Sequence, residues 1–271
     1  SKPDEVVIIE EKEILEDYLS STDNQLCIDL DLSYESRFET SFIDAYAEVS
    51  CVDFDNSQDK KPKLVYDKER LIDDNYIVLC VDGSMWPGKT WPISHYEDVV
   101  SHLHSKGYKV IETGKTHTSL TPKEYHNCDF DTLLNLIKYS DFYIGADNGP
   151  MHIARGFDIP CVIIAGAALP YYTSPNRDNI VYIQNNKSKN LGLKHRQFFN
   201  KVDTELGYTF VPMAQEDPEC GLKQITPDIV NNFIDRFLDI PISPNGNEME
   251  YAFNIYGNLR DSDYTEGYFY Y

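Results

Sequence analysis

The chain has 271 residues, with 24 Lys plus Arg against 45 Asp plus Glu and a formal net charge of −21. That length suits one large domain or two small ones, and the acidity weighs against general nucleic-acid binding, because phosphate backbones are repelled over most of the surface. No apolar run reaches the roughly 18–20 residues that span a bilayer. The opening SKPDEVVIIEEKE lacks the basic-then-apolar shape of a signal peptide, so the expected address is cytoplasmic. Cys27, Cys51, Cys80, Cys128, Cys161 and Cys220 are scattered without a CxxC pair; they read as reduced, mostly buried thiols and not as disulfides or a zinc site.

Residues 1–73 form an acidic N-terminal region. VVIIEEKEILEDYL reads as a strand running into a helix, QLCIDLDL and AEVSCVDFD as strands, and DNSQDKKPK as a polar linker. From residue 74 to 240 strands and helices alternate. YIVLCVDG is a strand. SHYEDVVSHLHSKG is a helix with Ser94 as candidate N-cap, Glu97 at the capping-box position and Gly107 as its stop. YKVIETG is a strand, and DFDTLLNLIKYS a helix opening near Asp129 or Asp131. DFYIGAD is a strand and GPMHIARGF a helix. PCVIIAG and NIVYIQ are strands, and TPDIVNNFIDRFLD is a helix capped by Thr226 with Pro227 first. This alternation predicts an α/β fold, a parallel sheet covered on both faces. Residues 241–271 are rich in Tyr, Asn and acid and read as a tail.

Ligands of such sheets gather at the carboxyl ends of strands. Two turns there carry chemistry. In the first, Asp147 and Asn148 end a strand, Gly149 permits close backbone approach, and Pro150 suits a first helical turn. The amides of that turn can receive a diphosphate, helped by the helix dipole. Met151 and His152 lie within it. A capped helix with a satisfied histidine would read the same way. The second turn, Gly83 to Pro92, brings Ser84, Lys89 and two tryptophans to another strand end; Lys89 can neutralise a diphosphate. NNKSKNLGLKHRQFFNK is either a solvated basic loop or an anion site, and Tyr171-Tyr172 either packs or stacks on a base.

Taken together, these turns resemble glycosyltransferase family 9, which includes the heptosyltransferases. Lys89, Trp91 and Pro92 match its K-x-W-P loop. Asp147 to Ala154 matches its D-[TS]-G-P-x-H-x-A motif, except that Asn148 replaces the usual hydroxyl. GFDIPCVIIAG and Cys220-Gly-Leu-Lys-Gln-Ile resemble later elements of the family. The resemblance covers residues 74–240 and implies a GT-B-like architecture. Its Rossmann-type, nucleotide-sugar-binding donor domain would follow a reduced N-terminal α/β domain on the acceptor side. By the same carry-over, Ser84 and Lys89 would contact phosphates. Asp147, Asn148, Gly149, Pro150 and Met151 would border the donor sugar and phosphates, and His152 the phosphate side.

The activity implied is metal-independent, inverting transfer of a sugar from a nucleotide diphosphate donor, ADP-heptose-like or other, to a saccharide or other hydroxyl acceptor, with no cofactor. Asp29-Leu-Asp31 spells DxD but reads as strand alternation. Only 73 residues precede the donor domain and no glycine loop opens them, so no catalytic base carries over; Asp29, Asp31, Glu35 and Asp44 are the available acids. Two other expectations remain open: a non-catalytic nucleotide-sugar-binding module, and an epimerase or hydrolase acting on the nucleotide sugar itself.

Overall fold

The computed structural model describes residues 40–52, 60, 62–82, 89–115, 118–122, 125–166, 173, 180–185, 199–204, 207–212, 222–238 and 268–270. The chain divides into two compact units, Ser1–Asn56 and Ser57–Tyr271. In the first unit the described element is helix α1 (Phe42–Val49). This corrects the strand expected over AEVSCVDFD. Ser41 caps the helix by accepting the Asp44 N–H at 3.2 Å, and its hydroxyl donates to Asp44 Oδ2 at 2.6 Å. That local bonding starts a helix where apolar alternation suggested extension. It also gives Asp44 a capping task. Asp29, Asp31, Glu35 and the two more N-terminal strands lie outside the described residues.

The second unit holds strands β1 (Ile77–Cys80), β2 (Val110–Glu112), β3 (Phe142–Ala146), β4 (Cys161–Ile164) and β5 (Ile180–Asn185). Helices α2 (Ile93–Ser105), α3 (Phe130–Lys138) and α4 (Gly149–Gly156) connect the first four, and α5 (Pro227–Leu238) follows β5. The strands lie in the order β2-β1-β3-β4-β5, all parallel. Helices cover both faces, because strand residues alternate between two cores. Ile77, Leu79, Phe142, Ile144 and Val162 pack with residues of α2 and α5. Val78, Cys80, Tyr143, Cys161 and Ile163 pack with residues of α3 and α4. The α/β parallel-sheet expectation is met.

Details differ from the sequence reading. Pro92, with no side-chain bond, caps α2, and Ser94 lies inside the helix. The Pro92 carbonyl already accepts the His95 and Tyr96 N–H groups, so the helix starts before a serine is needed. Asp129 caps α3 by accepting the Thr132 N–H at 2.8 Å. Gly107 takes the positive φ of +85° that a helix stop requires. A hairpin of β6 (Phe199–Thr204) and β7 (Gly207–Pro212) follows β5, where the sequence reading saw part of a basic loop. In the C-terminal tail, β8 (Tyr268–Tyr270) pairs antiparallel with β5 at the sheet edge.

The segment before β1 belongs to the second unit. Asn135 of α3, almost wholly buried, accepts the Leu71 N–H at 3.0 Å and donates to the Glu69 carbonyl at 2.8 Å. The Leu64 N–H reaches the Gly156 carbonyl at the end of α4. The compact division therefore falls after Asn56, ahead of the boundary expected at residue 73.

Candidate functional site

The sheet order reverses between β1 and β3: the crossover from β1 runs to β2 on one side, and the chain returns to β3 on the other. Open α/β sheets carry their crevice outside the strand carboxyl ends at such a switch. Both sequence-predicted turns emerge there. Lys89 follows β1, and Asp147 and Asn148 follow β3. Lys89 Nζ donates to the Asp147 carbonyl at 3.1 Å and lies 3.8 Å from Asp147 Oδ2. The Asp147 side chain is 4% exposed and that of Lys89 17%, so this contact is shielded from water. Ser84 lies outside the described residues.

Asn148 does more than cap α4. Its Oδ1 accepts the Met151 N–H at 3.1 Å and the Tyr143 hydroxyl at 3.0 Å, while its Nδ2 donates to the Asp82 carbonyl at 2.8 Å. A Ser or Thr could cap but lacks the second arm that ties the end of β1 to the start of α4. Pro150 has no N–H and the Met151 N–H is taken by the cap, which leaves the Gly149 amide to meet an anion at the first turn. A Cβ at Gly149 would meet nothing within 4 Å. The Met151 side chain is wholly buried in the core and accepts a 3.1 Å bond from Tyr182. Of the expected donor-binding residues, it therefore turns its side chain away from any ligand.

A cavity of about 650 Å³ opens at these strand ends, lined among others by Asp82, Thr90, Gly114, Lys115, Asn148 and Gly149. Its volume falls in the range of small-molecule sites. Lys89, Asp147, Met151 and His152 do not line it. Its wall after β2 went unnoticed in sequence. There Gly114, at φ +138°, leaves no room for a Cβ, which would stand 2.4 Å from Asp82 Oδ2. The same carboxylate accepts the Lys115 N–H. The β2 end is fixed by Glu112, fully buried, which accepts the Thr118 hydroxyl and lies 3.4 Å from His126 Nε2. A Gly at a strand end followed by hydroxyl residues, ETGKTHTS, was the available signal. Burial pushes the Cys80 thiol, also at the cavity, up to about 11, so it stays protonated near neutral pH.

The motifs of the resemblance also meet inside the fold. The Trp91 indole, 1% exposed, donates to the Ile225 carbonyl at 2.9 Å and stacks edge-on against Tyr96. This joins the K-x-W-P loop to the segment opened by Cys220. The described cysteines are free thiols: Cys80 and Cys161 are buried, Cys128 is partly buried, and Cys51 is exposed. Tyr171, Tyr172 and residues 186–198 of the basic stretch lie outside the described residues. No described helix is long and apolar enough to cross a membrane.

The family model described as glycosyltransferase family 9 (heptosyltransferase) matches residues 34–202. Among curated proteins, lipopolysaccharide heptosyltransferase 2 of Salmonella typhimurium is 27% identical over 115 residues, covering 36% of this chain and 33% of that protein. Among solved structures, the iron-containing dodecameric glycosyltransferase TibC of enterotoxigenic E. coli superposes with a TM-score of 0.53 at 19% identity, covering 74% of this chain and 54% of that one. The iron-containing heptosyltransferase TibC in complex with ADP-D-beta-D-heptose superposes with a TM-score of 0.51 at the same identity and coverage. The chain thus spans about a third of the length of that curated relative and about half of these structures.

TibC corrects the expectation of a reaction without metal or cofactor, since it is an iron-containing protein. Lys89 and the helix amides can neutralise a leaving diphosphate, which does not bear on a metal held elsewhere. Among the described residues no group of three or more His, Cys, Asp or Glu side chains could hold a metal ion. They do not fit such a site, and no step is assigned to iron.

Proposed function

The chain belongs to glycosyltransferase family 9, and we propose that it transfers a sugar from an ADP-heptose-like nucleotide diphosphate donor to a hydroxyl acceptor, with inversion at the anomeric carbon. The observation that carries this reading is the convergence of Lys89 on the turn that opens α4, at the switch point of the sheet. The ADP-heptose bound by TibC supports the donor class. In this reading the cavity receives the nucleoside, and the Gly149 amide and Lys89 meet the diphosphate. The acceptor oxygen bonds to the anomeric carbon as the bond to the diphosphate breaks, and the acceptor proton passes to a base on the acceptor side. Negative charge grows on the leaving group, so an interaction with Lys89 strengthens toward the transition state and acts on kcat.

The test pairs calorimetric ADP binding with turnover of ADP-heptose in the parent, in Lys89→Ala and in Lys89→Ala/Asp147→Asn. The double variant removes the buried carboxylate that the single variant leaves uncompensated. Loss of one preorganised charge should cost about 2–4 kcal/mol, or roughly a hundredfold to a thousandfold in rate, in both variants. Unchanged ADP binding and turnover without Lys89 would refute the reading. ADP binding without transfer or hydrolysis, across a panel of acceptors, would favour the non-catalytic module.

A further inference from the structure

Arg155 is wholly buried in the last turn of α4, one turn from His152. An apolar side chain would pack there without the desolvation cost of a guanidinium, so the arginine calls for a task. Its Nη1 lies 3.4 Å from His152 Nδ1. A guanidinium only donates and does not lose its proton. The Nδ1 facing it must therefore be the bare, accepting nitrogen, and the ring proton sits on Nε2.

We propose that Arg155 is a positioning residue that holds the His152 imidazole as its neutral Nε2–H tautomer, so that the ring meets an anionic ligand as a hydrogen-bond donor and not as a charge. The ligand half of this statement rests on the donor reading above; the tautomer half does not. The groups around the ring agree. Burial is the main influence and moves its pKa down from 6.5. Asp147, at the end of β3, pulls it up, while Arg155 on α4 and Lys89 after β1 push it down, and the balance is downward. A protonated ring would be a third cation among Lys89 and Arg155. A neutral ring leaves the positive charge on Lys89 and Arg155 alone, and supplies direction instead.

The tautomer is read directly from side-chain ¹⁵N–¹H correlation spectra of the full chain, with His152→Gln identifying the His152 signals. In the parent at pH 7 the Nδ1 resonance should be that of an unprotonated nitrogen and the Nε2 resonance that of a protonated one. Arg155→Met should yield mixed tautomers and a ring that titrates at higher pH; Arg155→Lys, which keeps a cationic donor, should shift the ring less. With ADP as the probe, Arg155→Met should lose roughly tenfold in affinity, the scale of one hydrogen bond to a charged group. His152→Gln, whose side-chain amide places a donor near the site of Nε2, should stay within about threefold of the parent. An Nδ1–H tautomer or an imidazolium in the parent overturns the proposal, whatever the variants do. So does an unchanged His152 spectrum in Arg155→Met. A parent with no affinity for ADP sinks the donor reading, while the spectrum still decides the tautomer.

Discussion

Gly149 and Gly145 stand four residues apart, and the structure assigns them opposite sensitivities. A Cβ added at Gly149 meets no heavy atom within 4 Å. Its backbone is not left-handed, so Gly149→Ala costs the unliganded fold nothing and gains up to about 1 kcal/mol of helix propensity, less at a first turn. Gly149 lines the cavity, and in the proposed reading the diphosphate comes within hydrogen-bonding distance of its amide, about 2.9 Å from nitrogen to oxygen. A methyl at that mouth crowds the anion. Loss of a charge-assisted bond of about 1.5–3 kcal/mol weakens ADP binding roughly tenfold to a hundredfold. At Gly145 the Cβ would stand 2.4 Å from the Cys80 carbonyl of the paired strand, which cannot swing aside as a side chain can. Gly145→Ala should destabilise by about 1–3 kcal/mol, as overpacking does. Urea unfolding without ligand and calorimetry with ADP separate the two effects. A Gly149→Ala variant that binds ADP as the parent does would show that no anion approaches this amide. A Gly145→Ala variant as stable as the parent would refute the β1–β3 packing.

Asn148→Ser restores the hydroxyl usual in the family and keeps a cap for the Met151 N–H, but loses the arm to the Asp82 carbonyl. It should cost about 1–3 kcal/mol in urea unfolding, the scale of a buried carbonyl left without its donor, and a stability equal to the parent would show that the arm contributes nothing. His152 sets a pH prediction. Its folded pKa is depressed below 6.5, chiefly by burial, with Arg155 and Lys89 acting the same way against Asp147. The unfolded state therefore binds the proton first, and stability is full above about pH 6.5 and lost as pH falls from there toward the folded value. The drop in urea midpoint between pH 7.5 and 5.5 should be smaller in His152→Gln than in the parent; equal drops would refute it.

The sheet and its helices were legible because strands buried on both faces read as short apolar runs, and because Asp129 and Gly107 mark helix ends by local chemistry. The Asp147–His152 turn was legible for the same reason: cap, glycine and proline act within a few residues. Other features depend on partners far along the chain. Asn148 reads as a substitute cap until Asp82, 66 residues earlier, is seen to accept its amide. Arg155 reads as a basic residue in a last helical turn, favourable to the dipole, and nothing local says that it is buried against a histidine. Glu112 is an acid at the end of a short apolar strand, and only Thr118 and His126, 6 and 14 residues on, show what makes its burial tolerable. The strand expected after Ala47 failed because alternation over a few residues fits either period, and Ser41 decided for a helix.

The bond from Trp91 to Ile225 spans 134 residues, and it acts two positions from Lys89. The place of the charge that meets the proposed leaving group therefore depends on a segment made long after it. During synthesis, at roughly 5–20 residues per second, the turn carrying Asp147 emerges well before the residue that anchors the tryptophan. For several seconds the nascent chain would hold both halves of the charge pair but not the anchor that fixes one of them. Contacts this distant in sequence form late, since the intervening loop must close first. The proposed donor site is thus a product of the finished domain and not of its early strands. A chain ended before Ile225 would keep Lys89 and every residue of the turn after β3 and still lack the anchor of the loop that carries Lys89.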